Sequence, residues 1–378
     1  MFKFLFKSSK QDIVSQLKRA NLLYEQKHFV AAAKLYRQIL KADSRHFAAR
    51  ANLATACFEQ GDFISSIPLF KEVIKVDSAN PWWYNYLSQA CQKTGDYKQA
   101  LTAAWQAVCL GENGNEHHLN LAYTIYETAD AEGREFVDSV LQKWYRRYPK
   151  NGIAKQCYKS FYCDDNFVCS EPEYVENLFD VFAPDFDKVL AELGYDSPKN
   201  IAHCLGAFLK EKSNKKLKIL DLGCGSGLCG EEIRKNIKEC RLVGVDISAN
   251  MLQEAKLKNV YDKLIKSNIT DCFKIIKSKF DVAVASDVLT YFGRLNLLFS
   301  SIADSLKRGG VFVFTVSLNK QNDKDFFLMP SSRFVHSAEY VEKTLADSGF
   351  FIVKNEEKIL RKEGEKDIVG RIFLSIKP

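Results

Sequence analysis

No apolar run in this 378-residue chain approaches the ~20 residues that a helix needs to cross a membrane. The opening Met1-Phe-Lys-Phe-Leu-Phe-Lys7 is too short for a signal-peptide core and leaves at most a weak interfacial anchor. The cluster of Cys157, Cys163 and Cys169, each separated by five residues, does not match the short spacing of zinc knuckles, and no metal is expected. Scattered thiols without a secretion signal read as reduced and mostly buried, in a cytoplasmic protein. His117-His118 has no acid or thiol at ligand spacing and reads as part of a polar helix face. The excess of one charge over the other is also small. The net +7 is spread along the chain and argues against a nucleic-acid partner. The length has room for two domains, each with its own core.

What the first half does contain is a period. Residues 13–46, 47–80 and 81–114 align as three blocks of 34. Small residues recur where two helices would touch (Ala20, Ala54, Ser88; Ala32, Ser66, Ala100). Larger ones recur where a pair would pack on its neighbour (Phe29, Phe63, Tyr97; Tyr36, Phe70, with Ala104 third). Gly61-Asp62 and Gly95-Asp96 mark the turns. A looser fourth unit, Asn115–Pro149, is shifted by an insertion around Asp130–Gly133 and ends in Lys143, Arg146, Arg147 and Lys150, as suits a terminal cap. The pattern resembles the tetratricopeptide repeat. The resemblance implies a helical solenoid over 1–155, three repeats plus a cap, for protein interaction or self-association. Trp82, Trp83, Tyr84 and Asn52 are candidates for a peptide groove; packing between repeats is the competing reading for the tryptophans.

The second half opens on an apolar strand, Leu217–Leu222, that enters a glycine turn with Gly223, Gly225 and Gly227. A helical stretch and a second strand, Leu242–Asp246, follow. Glycines let the backbone approach a ligand, and an acid at the end of the second strand suits two ribose hydroxyls. Gly225, Gly227 and Gly230 also satisfy the dinucleotide pattern G-x-G-x-x-G, so NAD(P) is one reading. However, four residues separate the strand's Leu220 from Gly225, and Asp221 at the start of the turn would repel a pyrophosphate. An acid there suits the ammonium of S-adenosylmethionine, which is the preferred ligand.

From Leu217 onward the motifs resemble those of class I S-adenosylmethionine-dependent methyltransferases. The resemblance implies that Ile247 and Met251 wall the adenine. Asn268, beside Ile269, stands where the family usually has an acid for the adenine amino group. Lys263–Lys266 reads as the third strand and Phe280–Ala285 as a buried parallel fourth. Ser286, Asp287 and Tyr291 fall where methyl group and acceptor meet. Leu306–Gly310 reads as a helix end with a glycine stop, and Val311–Val316 as the fifth strand. A helix at Ser337–Ser348 and strands at Phe350–Glu357 and Ile368–Ile376, with a charged turn between, complete a seven-stranded Rossmann-like sheet whose last strand runs antiparallel. A nicotinamide fold would continue differently. The expected organisation is α/β plus all-α: the solenoid, a linker and lid helix over 156–200, and a methyltransferase domain over 201–378. Within the lid, Tyr174–Asp187 resembles the lead-in helix of small-molecule methyltransferases, where an aromatic-Asp pair folds over the donor. Phe327–Ser337 and Leu360–Glu363 look like segments of bacterial methyltransferases fused to tetratricopeptide repeats, except that Ser332 stands where a glycine usually precedes the arginine.

The implied reaction is in-line displacement of a methyl group onto a small-molecule acceptor, an acidic one being one reading. Candidate bases are His336, Tyr291 and Asp287, in that order. Arg333 suits a substrate carboxylate or phosphate, and Tyr174 is a second substrate contact. A structural role competes for His336, and an internal ion pair for Arg333. The chain lacks the Asn/Asp-Pro-Pro-aromatic loop used on base amines and glutamine amides, and the paired-glutamate loop used on arginine. Two alternatives stay open: a protein methyltransferase whose repeats recruit the target, and an adaptor whose domain binds donor without catalysis.

Overall fold

Helices in the first half begin at 34-residue intervals. The computed structural model describes residues 10–162, 167–209, 216–237, 239–320, 324–363 and 366–378, in two units, Met1–Pro149 and Lys150–Pro378. Met1–Lys7 and Cys163 therefore lie outside the described residues. The first unit comprises α1 (Lys10–Glu25), α2 (Phe29–Ala42), α3 (Phe47–Glu59), α4 (Phe63–Val76), α5 (Pro81–Lys93), α6 (Tyr97–Leu110), α7 (Asn115–Glu132) and α8 (Arg134–Arg147), each packed on the next. The turns before α2, α4 and α6 carry Lys27, Gly61 and Gly95 at φ 61°, 85° and 79°, the left-handed conformation glycine favours. Asp62 and Asp96 then cap their helices by accepting from the N–H of Ser65 and Gln99. Ala20, Ala54, Ser88, Ala32, Ser66, Ala100, Tyr36, Phe70 and Ala104 are all buried, so the recurring positions form the contacts between helices. The insertion lengthens α7 to 18 residues.

His117 and His118 are buried, not on a polar face. His118 Nε2 lies 2.9 Å from the Glu112 carbonyl, and its Nδ1 accepts from Trp144 Nε1 at 2.9 Å. The partner that allows this burial comes from the next helix. Trp82 is exposed and edge-on to His117; Trp83 Nε1 donates to Asp77 at 2.8 Å, Asn52 to Asn21, and the Tyr84 hydroxyl to the Ser78 carbonyl.

The second unit starts earlier than residue 155, so α9 (Gly152–Tyr162) belongs to it. Next come α10 (Pro172–Phe182), a 3-10 turn (Ala183–Asp185), α11 (Phe186–Glu192) and α12 (Ser197–Leu209). Strands and helices then alternate: β1 (Leu217–Leu222), α13 (Leu228–Asn236), β2 (Cys240–Asp246), α14 (Ala249–Leu257), β3 (Lys263–Lys266), α15 (Ile269–Ile275), β4 (Phe280–Ala285), a 3-10 turn (Leu289–Tyr291), α16 (Asn296–Ser305) and β5 (Leu306–Ser317). A hairpin of β6 (Phe326–Leu328) and β7 (Phe334–His336), α17 (Ala338–Asp347), β8 (Phe351–Glu363) and β9 (Lys366–Ile376) complete the unit. The seven-stranded sheet has the order β3-β2-β1-β4-β5-β9-β8, with β9 antiparallel to both neighbours. One face buries Ile219, Val282, Val284 and Val313 against Ile201 and Leu205 of α12 and Ile233 of α13. On the other, Phe312, Phe314 and Phe373 stack beside Phe299 of α16.

Three local expectations change. The helix before β5 ends at Ser305 without a glycine stop; Gly309 (φ 72°) lies inside β5, where its N–H donates to the Lys377 carbonyl. The β8 and β9 strands extend through most of the stretch read as a charged turn, and the β6–β7 hairpin interrupts the connection from β5 to α17. Among the described residues no helix is long and apolar enough to cross a membrane.

Candidate active site

Strand order reverses between β1 and β4, and the loops leaving their carboxyl ends part around a cavity, the position where open α/β sheets bind ligands. Gly223 (φ 69°) lies so close to the loop after β4 that a Cβ would sit 2.4 Å from Val288 Cγ2. Gly225 (φ 52°) faces Phe186, 3.9 Å from where its Cβ would be. Side chains are excluded at the first position, and the second leaves backbone as the cavity wall.

Asp246 closes the turn. Its Oδ2 accepts from Gly225 N–H at 2.8 Å and its Oδ1 from Ser248 N–H at 2.9 Å. A carboxylate has about four acceptor directions, so one remains for a ribose hydroxyl beside the backbone N–H groups that it holds. Burial pushes the pKa of Asp246 up to about 6, opposed by the N–H groups of Ser248, Gly225 and Ile247. Ile247, Asn268 and Ile269 line the cavity. The Asn268 oxygen caps α15 by accepting from Thr270 N–H and keeps a second lone pair.

The roof is α10 and α11, which contribute Val175, Phe179, Phe186 and Leu190, with Leu193 just after α11. Two carboxylates tie it down. Asp180 accepts from Ser248 Oγ at 2.5 Å and Asn250 N–H at 3.2 Å. Asp187 accepts from Ser226 Oγ and Lys258 Nζ, both at 2.5 Å.

At the far end stand Ser286, Asp287, Tyr291, Arg333 and Arg361. Asp287 adopts φ 52°, uncommon for a residue with a side chain, and its N–H donates to Thr315 Oγ1 at 2.8 Å. Its two oxygens accept from Arg361 Nη1 at 2.9 and 2.7 Å, and Arg333 Nη1 lies 3.8 Å from Oδ2. The Arg333 guanidinium also sits 6.0 Å over the Tyr291 ring, which meets Phe179 edge-on. Arg361 was not among the expected site residues; its only cue is the resemblance of Leu360–Glu363, within a stretch that reads as a charged turn. Asp287 is an ion-pair partner, a poor arrangement for the general base the sequence suggested.

Several candidates stand back from the wall. Asp221 is wholly buried behind the turn; its Oδ2 accepts from the Tyr261 hydroxyl at 2.7 Å, and burial lifts its pKa to about 7. Gly227 (φ 96°) opens α13, while Met251 and Tyr174 are buried outside the lining. His336 is wholly buried too. Its Nε2 lies 2.8 and 3.2 Å from the carbonyls of Phe292 and Gly293, so Nε2 carries the proton, and Nδ1 has no partner among the described residues. A base must reach the proton that it removes, and His336 does not. Burial pulls its pKa down to about 4. As pH falls below the ordinary ~6.5, the unfolded chain takes up this proton first, so the residue withdraws stability until the folded value is passed. Long-range 1H–15N spectra should show a neutral Nε2–H tautomer with a midpoint near pH 4; a midpoint near 6.5 would return His336 to the list of bases.

Ser332 explains the missing glycine. It holds φ 62° with its carbonyl accepting from Gln156 Nε2 at 3.3 Å and its hydroxyl 3.4 Å from Ser160 Oγ. Gln156 also donates to Ser170 Oγ and accepts from Glu171 N–H. Thus α9, read as linker, supports the loop that carries Arg333. Ten cysteines among the described residues are free thiols, eight of them buried. No group of three or more His, Cys, Asp or Glu among the described residues is arranged to hold a metal.

Residues 220–314 match the family model described as a methyltransferase domain. Human methyltransferase-like protein 27 is 36% identical over 95 residues, 25% of this chain and 38% of that protein. A malonyl-[acyl-carrier protein] O-methyltransferase of Acetivibrio thermocellus is 27% identical over 122 residues, 31% of this chain and 41% of that protein. The chain thus spans about two fifths of each of these curated relatives. A solved S-adenosylmethionine-dependent methyltransferase of Clostridium acetobutylicum is similar at TM-score 0.39 and 20% identity, covering 53% of this chain and 98% of that one. The matched residues, 220–314, run from β1 to β5 of the seven-stranded sheet in the second unit. The turn, Asp246, Ile247 and Ile269 line this cavity and fit the adenosyl group of S-adenosylmethionine, an acid for the ribose beside apolar side chains for the adenine.

Proposed function

We propose that the chain is a methyltransferase that moves the methyl group of S-adenosylmethionine to a small, acidic acceptor, with Arg333 as its anchor. The observation that carries this is the cavity itself, with Asp246 at one end and Asp287, Tyr291, Arg333 and Arg361 at the other. The first unit is read as a tetratricopeptide array for protein interaction or self-association, and the free thiols suit the cytoplasm. The test incubates the full chain with methyl-tritiated donor and a filtered metabolite extract. Label is expected in the small-molecule fraction. Label on protein would support a target-recruiting role for the repeats instead, and S-adenosylhomocysteine binding with no transfer would support an adaptor.

A further inference from the structure

We infer that the atom methylated is a carboxylate oxygen of the acceptor. This rests on the reading above and adds the nucleophile to it. A neutral hydroxyl or an ammonium must lose a proton, and none of the three candidate bases is placed to take one: Tyr291 is a phenol that carries its own proton, with the Arg333 guanidinium over its ring. His336 is buried away from the cavity with its Nε2 proton committed to two carbonyls. Asp287 holds Arg361 with both oxygens. A carboxylate needs no base, because it is already ionised at neutral pH.

The same wall favours an anion. Two guanidiniums converge there, Arg361 fixed by Asp287 and Arg333 held over Tyr291. An incoming carboxylate can rest one oxygen on Arg333, a charge-assisted contact, and turn the other toward the donor's methyl group. A lone pair of that second oxygen forms the new O–C bond as the C–S bond breaks, and the departing pair stays on sulfur. The products are a methyl ester and S-adenosylhomocysteine; no proton moves. Because a negative and a positive charge cancel along this path, the apolar roof of Phe179, Phe186, Leu190 and Leu193 opposes it less than a charge-separating one, and it strips water from the nucleophile.

Methyl esters release methanol in mild alkali, whereas methyl ethers, amines and thioethers do not, so the test works before the acceptor is identified. The full chain is incubated with methyl-tritiated donor and the filtered metabolite extract, and the small-molecule label is treated with alkali. Volatile labelled methanol is expected. With the labelled acceptor then purified, kcat/KM should be flat from about pH 7 to about pH 9. Arg333→Gln should raise the acceptor KM by about tenfold or more, with S-adenosylhomocysteine affinity unchanged. Alkali-stable label, or a rising limb in the profile, overturns the carboxylate assignment alone. Absence of small-molecule transfer by a protein that binds S-adenosylhomocysteine overturns the small-molecule acceptor and this inference with it.

Discussion

Asp246→Ala is expected to weaken S-adenosylhomocysteine binding by about 2–3 kcal/mol, roughly 30- to 150-fold, in calorimetry on the full chain. The loss has two sources. The carboxylate offers its remaining acceptor direction to the ribose, and it also fixes the turn by accepting from Gly225 and Ser248. Alanine removes both, so the turn loses its brace along with the ligand's acceptor. Asp246→Asn keeps one oxygen and should fall between the two. Affinity should also decline as pH drops through about 6, where the buried carboxyl takes up its proton and one acceptor is lost. Wild-type affinity in the alanine variant would mean that the ribose lies elsewhere and that the cavity has been read in the wrong orientation.

The donor end was legible because its signals are local. A strand covered on both faces is a continuous apolar run, and a turn that backbone must cross closely needs glycine; both stand between Leu217 and Asp246. The acceptor end was less so, because its residues owe their surroundings to distant chain. Arg361 sits in a charged stretch and is buried only because β8 pairs with β9 and Asp287 comes from 74 residues away. His336 stands between Val335 and Ser337, which leaves its burial open, yet β7 pairs it with Phe326 and its ring meets the carbonyls of Phe292 and Gly293. Asp221 was assigned to the donor because its place in the motif is fixed by spacing. Which side of the turn its carboxylate faces depends on Tyr261, 40 residues on. In the first half the 34-residue period survives into helix starts, turns and buried positions, while the histidine pair misled because its partner Trp144 lies on another helix.

The role of α9 yields the other large effect. A fragment of residues 150–378 should bind S-adenosylhomocysteine as the full chain does, whereas residues 165–378 should melt about 10–25 °C lower. Cutting at 165 removes Gln156 from Ser170, Glu171 and Ser332, and Ser160 from Pro330. Ser332 is left at φ 62° without the contacts that hold it there. At about 1–2 kcal/mol for each buried hydrogen bond, with the backbone strain in addition, the loss is on the order of 4–8 kcal/mol. That is a large part of the ~5–15 kcal/mol that stabilises a domain. The damage should concentrate at the acceptor end, since the loop from Pro330 to Arg333 and the Ser170–Tyr291 contact both lean on this helix. Scanning calorimetry of the two fragments decides it. Equal melting temperatures would make α9 a linker and place the start of the domain at the lid.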